Sequence, residues 1–163
     1  MPSVYLSIGS NVDRRHNVKS CITSLKAIFG NLSMSPVYES DSVGFEGDNF
    51  YNLVVSVQTA LSVGQISLIL KKLENEHGRD RGAPKFGPRT LDIDIITVDD
   101  FVGEYDGIKL PREELLENAF VLLPMTKLIG NELHPETKRS YLDHWHEFDK
   151  TKQFLTEISF SFD

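Results

Sequence analysis

The chain has 163 residues, 40% of them hydrophobic and 25% charged, with a formal net charge of -7. Those totals fit one soluble domain with a core of its own. They exclude a surface built as a whole to bind nucleic acid or an anionic membrane, while leaving room for a local basic pocket. Cys21 is the only cysteine, which excludes an intramolecular disulfide and suits a reducing compartment. No apolar run approaches the roughly 20 residues of a membrane span. The opening "MPSVYLSIGS" lacks a basic leader with a long apolar core, so a cytoplasmic protein is expected.

In chain order, "VYLSI" (Val4 to Ile8) predicts a strand that ends in the turn chemistry of Gly9 to Asn11. Val18, Cys21, Ile22, Leu25, Ile28 and Phe29 recur at helical spacing, which predicts an amphipathic helix over 17–29 stopped by Gly30-Asn31. Cys21 lies on that stripe and is expected to fill core. "LSMSPVYES" and "FYNLVVSVQTA" predict two strands, joined through a loop over 41–49 that is rich in acids and glycine. Ser62 with Gln65 three residues later forms a capping box that opens a second helix. Ile66, Ile69, Leu70 and Leu73 are its buried stripe, and Gly78 is its stop. "GRDRGAPKFGPR" reads as loop and "TLDIDIITV" as a fourth strand. The order β-α-β-β-α-β predicts a ferredoxin-like α+β sandwich, an antiparallel sheet with helices on one face. Beyond it, "DDFVGEYDGIKLP" suggests a loose hairpin. "ENAFVLLPMTKLIG" suggests a helix with Pro124 inside it or at its start, and "RSYLDHWHEF" a short further helix. With no repeats or linkers, residues 1–163 are expected to form one domain.

The chemistry concentrates at "KFGPRTLDIDII", residues 85–96. Asp92 and Asp94 sit two apart on a strand, so their carboxylates share one face roughly 6 to 7 Å apart. Like charges at that spacing repel and call for a partner between them. Just upstream, Arg79, Arg81, Lys85 and Arg89 gather against a single acid, Asp80. A carboxylate pair suits a hard divalent cation, for magnesium typically takes one or two carboxylates and fills the rest with water and phosphate oxygens. Guanidinium forks suit the phosphates themselves. Taken singly, Asp-x-Asp also occurs on exposed strand faces and in sugar transferases, and arginine-rich loops are often only solvated. Adjacent, each supplies the counter-charge the other lacks. The histidines add little. His144 and His146 point apart on a helix, no spacing supports zinc, and His77 suits the end of the second helix. "GSN" is not a phosphate loop, and no Ser-His-Asp arrangement can be argued.

"KFGPRTLDIDII" resembles the signature of the 6-hydroxymethyl-7,8-dihydropterin pyrophosphokinase family at all twelve positions. "YLSIGSN", "FYN", "HGRDR" and "AFVLLP" follow in the family's order, so the likeness covers most of residues 4–135. The resemblance implies a ferredoxin-like fold and transfer of pyrophosphate from ATP to the pterin's hydroxymethyl group, releasing AMP, in folate biosynthesis. It implies two Mg2+ ions held by Asp92 and Asp94, and a phosphate grip from Arg79 and Arg89. It also implies a closing loop carrying Arg81 and Lys85, and Glu74 on the nucleotide side. The flat pterin would stack between Phe50 and Phe120, with Asn52, Ser40 and the Val43 backbone along its edge; without the resemblance both phenylalanines read as core.

Three positions depart from the family pattern. Arg112 follows Pro111 where a histidine is common, Asn118 stands two residues before Phe120 in place of an arginine, and Asp41 replaces a frequent proline. They fall among the outer nucleotide and pterin contacts. The competing readings are another magnesium-dependent nucleotidyl or glycosyl transferase, a divergent non-catalytic paralogue, and an RNA-binding sheet. The last is disfavoured by few strand aromatics and the acidic charge. A monomer acting on small molecules, without nucleic-acid or membrane partners, is expected.

Overall fold

A computed structural model of the chain describes residues 1–40, 49–78 and 91–162. Within them runs an antiparallel sheet of β1 (Ser3–Ser10), β2 (Ser33–Met34), β3 (Val37–Ser40), β4 (Phe50–Gln58), β5 (Asp92–Val98) and β8 (Leu155–Ile158). Its order is β5-β1-β4-β3-β8, with β2 on β4. The helices are α1 (Arg14–Phe29), α2 (Val63–Glu76), α3 (Glu114–Glu117), α4 (Ala119–Ile129) and α5 (Tyr141–Glu147). A separate hairpin pairs β6 (Gly103–Tyr105) with β7 (Ile108–Leu110). Asp106 and Gly107 form its turn, both at positive φ, the backbone that a tight right-twisted hairpin requires.

Strand alternation sorts the core into two layers. Val4, Leu6 and Ile8 of β1, Leu53, Val55 and Val57 of β4, and Ile93 and Ile95 of β5 are buried together. Val18, Cys21, Ile22 and Leu25 of α1 and Val63, Ile66, Leu70 and Leu73 of α2 cover them. On the opposite face Val54 and Ile96 pack with Leu115, Val121, Leu122, Met125 and Tyr141 from α3, α4 and α5. The mixed α/β, antiparallel character expected from the element order is present. The C-terminal helices close the second face, so β4 is buried on both sides from Tyr51 to Val55.

Several boundaries differ from the sequence expectation. Gly9 and Ser10 continue β1, because β4 pairs with both and β5 with Gly9. The first helix starts at Arg14, after Asp13 in left-handed backbone and with no side-chain cap to announce it. Ile28, expected on the buried stripe, is exposed, and Ile69 is only half-buried. The capping box at Ser62 and Gln65 forms, with Ser62 N–H to Gln65 Oε1 at 2.9 Å and Gln65 N–H to Ser62 Oγ at 3.1 Å. Gly78 leaves α2 at φ 80. His77 bridges the carbonyl of Leu73 (2.7 Å) and Ser20 Oγ (2.9 Å), tying α2 to α1. The loop expected over 41–49 lies almost wholly outside the described residues.

Candidate active site

β5 carries its acids outward by default. Ile93 and Ile95 are pulled into the core under α2, so Asp92 and Asp94 emerge on the other face. The strand's placement is fixed from below by Glu74 of α2, which is buried and accepts the Ile93 N–H at 3.0 Å. A carboxylate from the helix thus holds the peptide between the two aspartates.

Among the described residues, Asp94 feels the negative charges of Asp92, Glu74 and Glu114 and the positive charge of Arg112. Arg112 Nη1 lies 3.8 Å from Asp94 Oδ1, a longer approach than its contact to Glu114, at 3.1 Å from Nε and 3.4 Å from Nη2. Its backbone N–H donates to the Ile96 carbonyl at 2.9 Å, which anchors the segment after the hairpin to β5. Burial and the Asp92 charge push the Asp94 carboxyl up to about 6, against the pull of Arg112. Such a carboxylate gains from a cation with oxygen preference, and this donor set fits a magnesium-type ion. Among the described residues no group of three or more His, Cys, Asp or Glu could enclose a metal alone. Two carboxylates suit an ion that fills the rest of its coordination with water and phosphate oxygens.

The register extends the site across the sheet. Asp92 opposes Gly9, Gly9 opposes Asn52, and Asn52 opposes Tyr38; one step on, Asp94 opposes Ser7 and Ser7 opposes Val54. Opposed residues share a face, so the acids and Asn52 look into the same space, two strands or roughly 10 Å apart. Gly9 keeps that space open, since a Cβ there would meet Asn52 Oδ1 at 3.1 Å and Phe50 Cδ1 at 3.8 Å. Asn52 and Ser40 are buried, and Asn52 Nδ2 donates to Ser40 Oγ at 2.7 Å. That bond uses one amide N–H and fixes the side chain's orientation.

Phe50, at the start of β4, is half-buried. Phe120, in the first turn of α4, is half-buried against the cluster that holds Val54 and Ile96. The helix start is secured by a distant residue. Gln153 Oε1 accepts the Ala119 N–H at 2.6 Å, while Gln153 Nε2 donates to Asn118 Oδ1 at 3.2 Å.

Of the residues expected from sequence, Asp92, Asp94, Ser40, Phe50, Asn52 and Phe120 are brought to one face of the sheet and the helix above it. Glu74 lies beneath β5, where it accepts the Ile93 N–H. Arg79, Arg81, Lys85, Arg89 and Val43 lie outside the described residues. Cys21 is core, its thiol pushed up to about 12 by burial. Sequence reasoning did not find Gly9, Glu114 or Gln153, and saw Arg112 only as a replaced histidine. Its pairing with an acid more than ten positions upstream leaves no periodic trace in the sequence.

Residues 5–130 match the family model for 7,8-dihydro-6-hydroxymethylpterin-pyrophosphokinase. The chain is 37% identical over 137 residues to a 2-amino-4-hydroxy-6-hydroxymethyldihydropteridine pyrophosphokinase of Aquifex aeolicus (strain VF5), covering 83% of this chain and 85% of that protein. It is 34% identical over 134 residues to a folic acid synthesis protein of Dictyostelium discoideum, covering 81% of this chain but only 20% of that longer one. Among solved structures, the Plasmodium falciparum HPPK-DHPS wild type with SDX-DHP superposes with a TM-score of 0.68 at 14% identity. That match covers 93% of this chain and 44% of the other, and is a likeness of fold.

Proposed function

The chain belongs to the 7,8-dihydro-6-hydroxymethylpterin-pyrophosphokinase family, and on that premise we propose which of its residues carry the reaction. The reaction is transfer of pyrophosphate from ATP to hydroxymethyldihydropterin in folate synthesis. The hydroxymethyl oxygen attacks the β-phosphorus and forms a new O–P bond. The α–β bridging bond breaks, AMP leaves with the bridging oxygen, and the hydroxyl proton is released.

In this reading Asp92 and Asp94 hold Mg2+, two ions with ATP. Bound there, the metal would offset phosphate charge and align the reactants. Arg79 and Arg89 grip the phosphates, where their bidentate donors meet charge that grows in the transition state. Arg81 and Lys85 belong to a loop that shuts water out. Glu74 serves the nucleotide side by fixing β5. Phe50 and Phe120 stack on the pterin faces, and Asn52, Ser40 and the Val43 backbone read its edge. The observation that carries this assignment is the cross-strand row Asp92–Gly9–Asn52, which sets an acid pair and a pinned amide on one face with a glycine between them.

The same reading takes residues 1–163 as one domain with a ferredoxin-like β-α-β-β-α-β half. The strand order β5-β1-β4-β3 and the position of α1 and α2 on one face support it. A cytoplasmic monomer is part of the proposal. Among the described residues no helix is long and apolar enough to cross a membrane. Incubation of the purified protein with magnesium ATP and 6-hydroxymethyl-7,8-dihydropterin tests the assignment of the reaction. AMP and pterin pyrophosphate are expected in equal amounts. Release of inorganic pyrophosphate or a nucleoside diphosphate would instead assign a nucleotidyl or glycosyl transfer.

A further inference from the structure

Arg112 is the described cation nearest the acid pair, and its placement is specific. Glu114 takes the guanidinium at 3.1 and 3.4 Å, from Nε and Nη2, while Nη1 stays 3.8 Å from Asp94. The backbone of the same residue is bonded to Ile96, two positions beyond Asp94 on β5. The charge therefore stands beside the carboxylate without covering its oxygens. Both side chains remain partly open, at 35% and 41% exposure.

A positive charge so placed acts in opposite directions on two ligands. It repels a bare divalent cation arriving at Asp94. It attracts a metal-bound polyphosphate, whose net charge is negative and whose oxygens can take the guanidinium's free N–H groups. We propose that Arg112, tethered by Glu114, is a specificity-determining residue that makes the Asp92/Asp94 site load its metal together with a nucleoside polyphosphate in preference to the free ion. The inference rests on the metal reading of the acid pair given above. With water-like screening, a unit charge roughly 4 to 6 Å from a divalent ion changes its affinity by about three- to tenfold.

Mn2+ titrations followed by paramagnetic resonance test it, with the metal alone and with α,β-methylene ATP, which keeps the triphosphate charge and resists cleavage at the α–β bridge. Arg112→Gln is expected to bind Mn2+ alone about three- to tenfold more tightly and the Mn2+–analogue complex several-fold more weakly. Arg112→Lys restores both toward wild type. Glu114→Gln frees the guanidinium to settle on Asp94 and removes a negative charge near it, so Mn2+ alone weakens; Arg112→Met, which removes only the cation, carries the test if Arg112→Gln does not fold. No change in either affinity for Arg112→Gln, or a shift of both in one direction, overturns the proposal. So does tighter binding of Mn2+ alone by Glu114→Gln. Asp92→Asn separates the two levels of the argument. If it binds the Mn2+–analogue complex like wild type, the metal reading itself fails and takes this inference with it. If it does not, a flat result at Arg112 counts against Arg112 only.

Discussion

Beneath α1 and α2 the sheet presents mainly hydrocarbon, with Leu6 and Ile8, Leu53 and Val55, Ile93 and Ile95 all buried and the Glu74 carboxylate of α2 set among them. The opposite face of the same strands begins in the same way, with Val54 and Ile96 under α4, and then changes character within one or two residues. Ser7, Gly9, Asn52, Asp92 and Asp94 follow where further apolar side chains could have stood. The strands cannot distinguish the faces by backbone, since their hydrogen bonds lie in the sheet plane. Alternation alone assigns each residue to stability or to chemistry. A protein of this size can hold two acids on one strand face because most of its apolar core lies on the other.

The sharpest way to break the comparison is to remove one acid. Asp92→Ala or Asp94→Ala should lower turnover by on the order of a thousandfold. The melting temperature of the metal-free protein should stay level or rise, because like-charge repulsion is relieved. Wild-type turnover would demote the pair to ordinary strand acids. The converse substitution is Leu53→Ala, one residue along β4 from Asn52 but on the other face. It should cost about 2 to 5 kcal/mol of unfolding free energy in urea melts. Pterin affinity of the folded fraction should be nearly unchanged; a lost pterin site with a normal melt would show that the faces are not separable.

Phe120 tests the border between the two roles. Phe120→Ala should weaken binding of a pterin, read by fluorescence, by about 1 to 3 kcal/mol with a near-normal melt. A fall of about 3 to 5 kcal/mol in stability would instead make it core. The smallest effect is with acid. His134, stacked edge-on to Tyr141 at 6.1 Å, is held below its ordinary range by burial and then by the charge of His144. Between its folded value and about 6.5 the unfolded chain binds more protons, so stability complete above that pH declines as pH falls through the window. Melts from pH 7.5 to 5 should slope more steeply for wild type than for His134→Gln. Parallel slopes would clear His134 of any part in it.

Where a local rule governs the residue, the sequence was sufficient. The capping box at Ser62, the helix stop at Gly30 and the alternation of "LDIDII" each report a structure that neighbours within four positions determine. Elements that depend on partners far along the chain were illegible. β8 is an edge strand of four residues whose alternation is weak, and it exists because β3 offers a free edge. α3 is a single turn. Gly9 reads as turn chemistry until β4 and β5 flank it, when its missing Cβ becomes room for Asn52 and Phe50. The acid pair was visible as a motif, but its counter-ion Arg112 was visible only as an irregularity, because a hairpin intervenes between them.

Gln153 and β8 have a practical consequence. One amide side chain holds the first turn of the helix that bears Phe120. Two residues later Leu155 pairs with Ser40, the partner of Asn52. The last stretch of the fold is therefore a strut between two walls of the proposed pterin pocket, and cannot be trimmed as a tail. An affinity tag or reporter grafted close behind β8 would load that strut. A cut made ahead of Gln153 would release both walls and also strip Ile158, Phe160 and Phe162 from the core beneath α1 and α2, so substrate grip and stability should fall together.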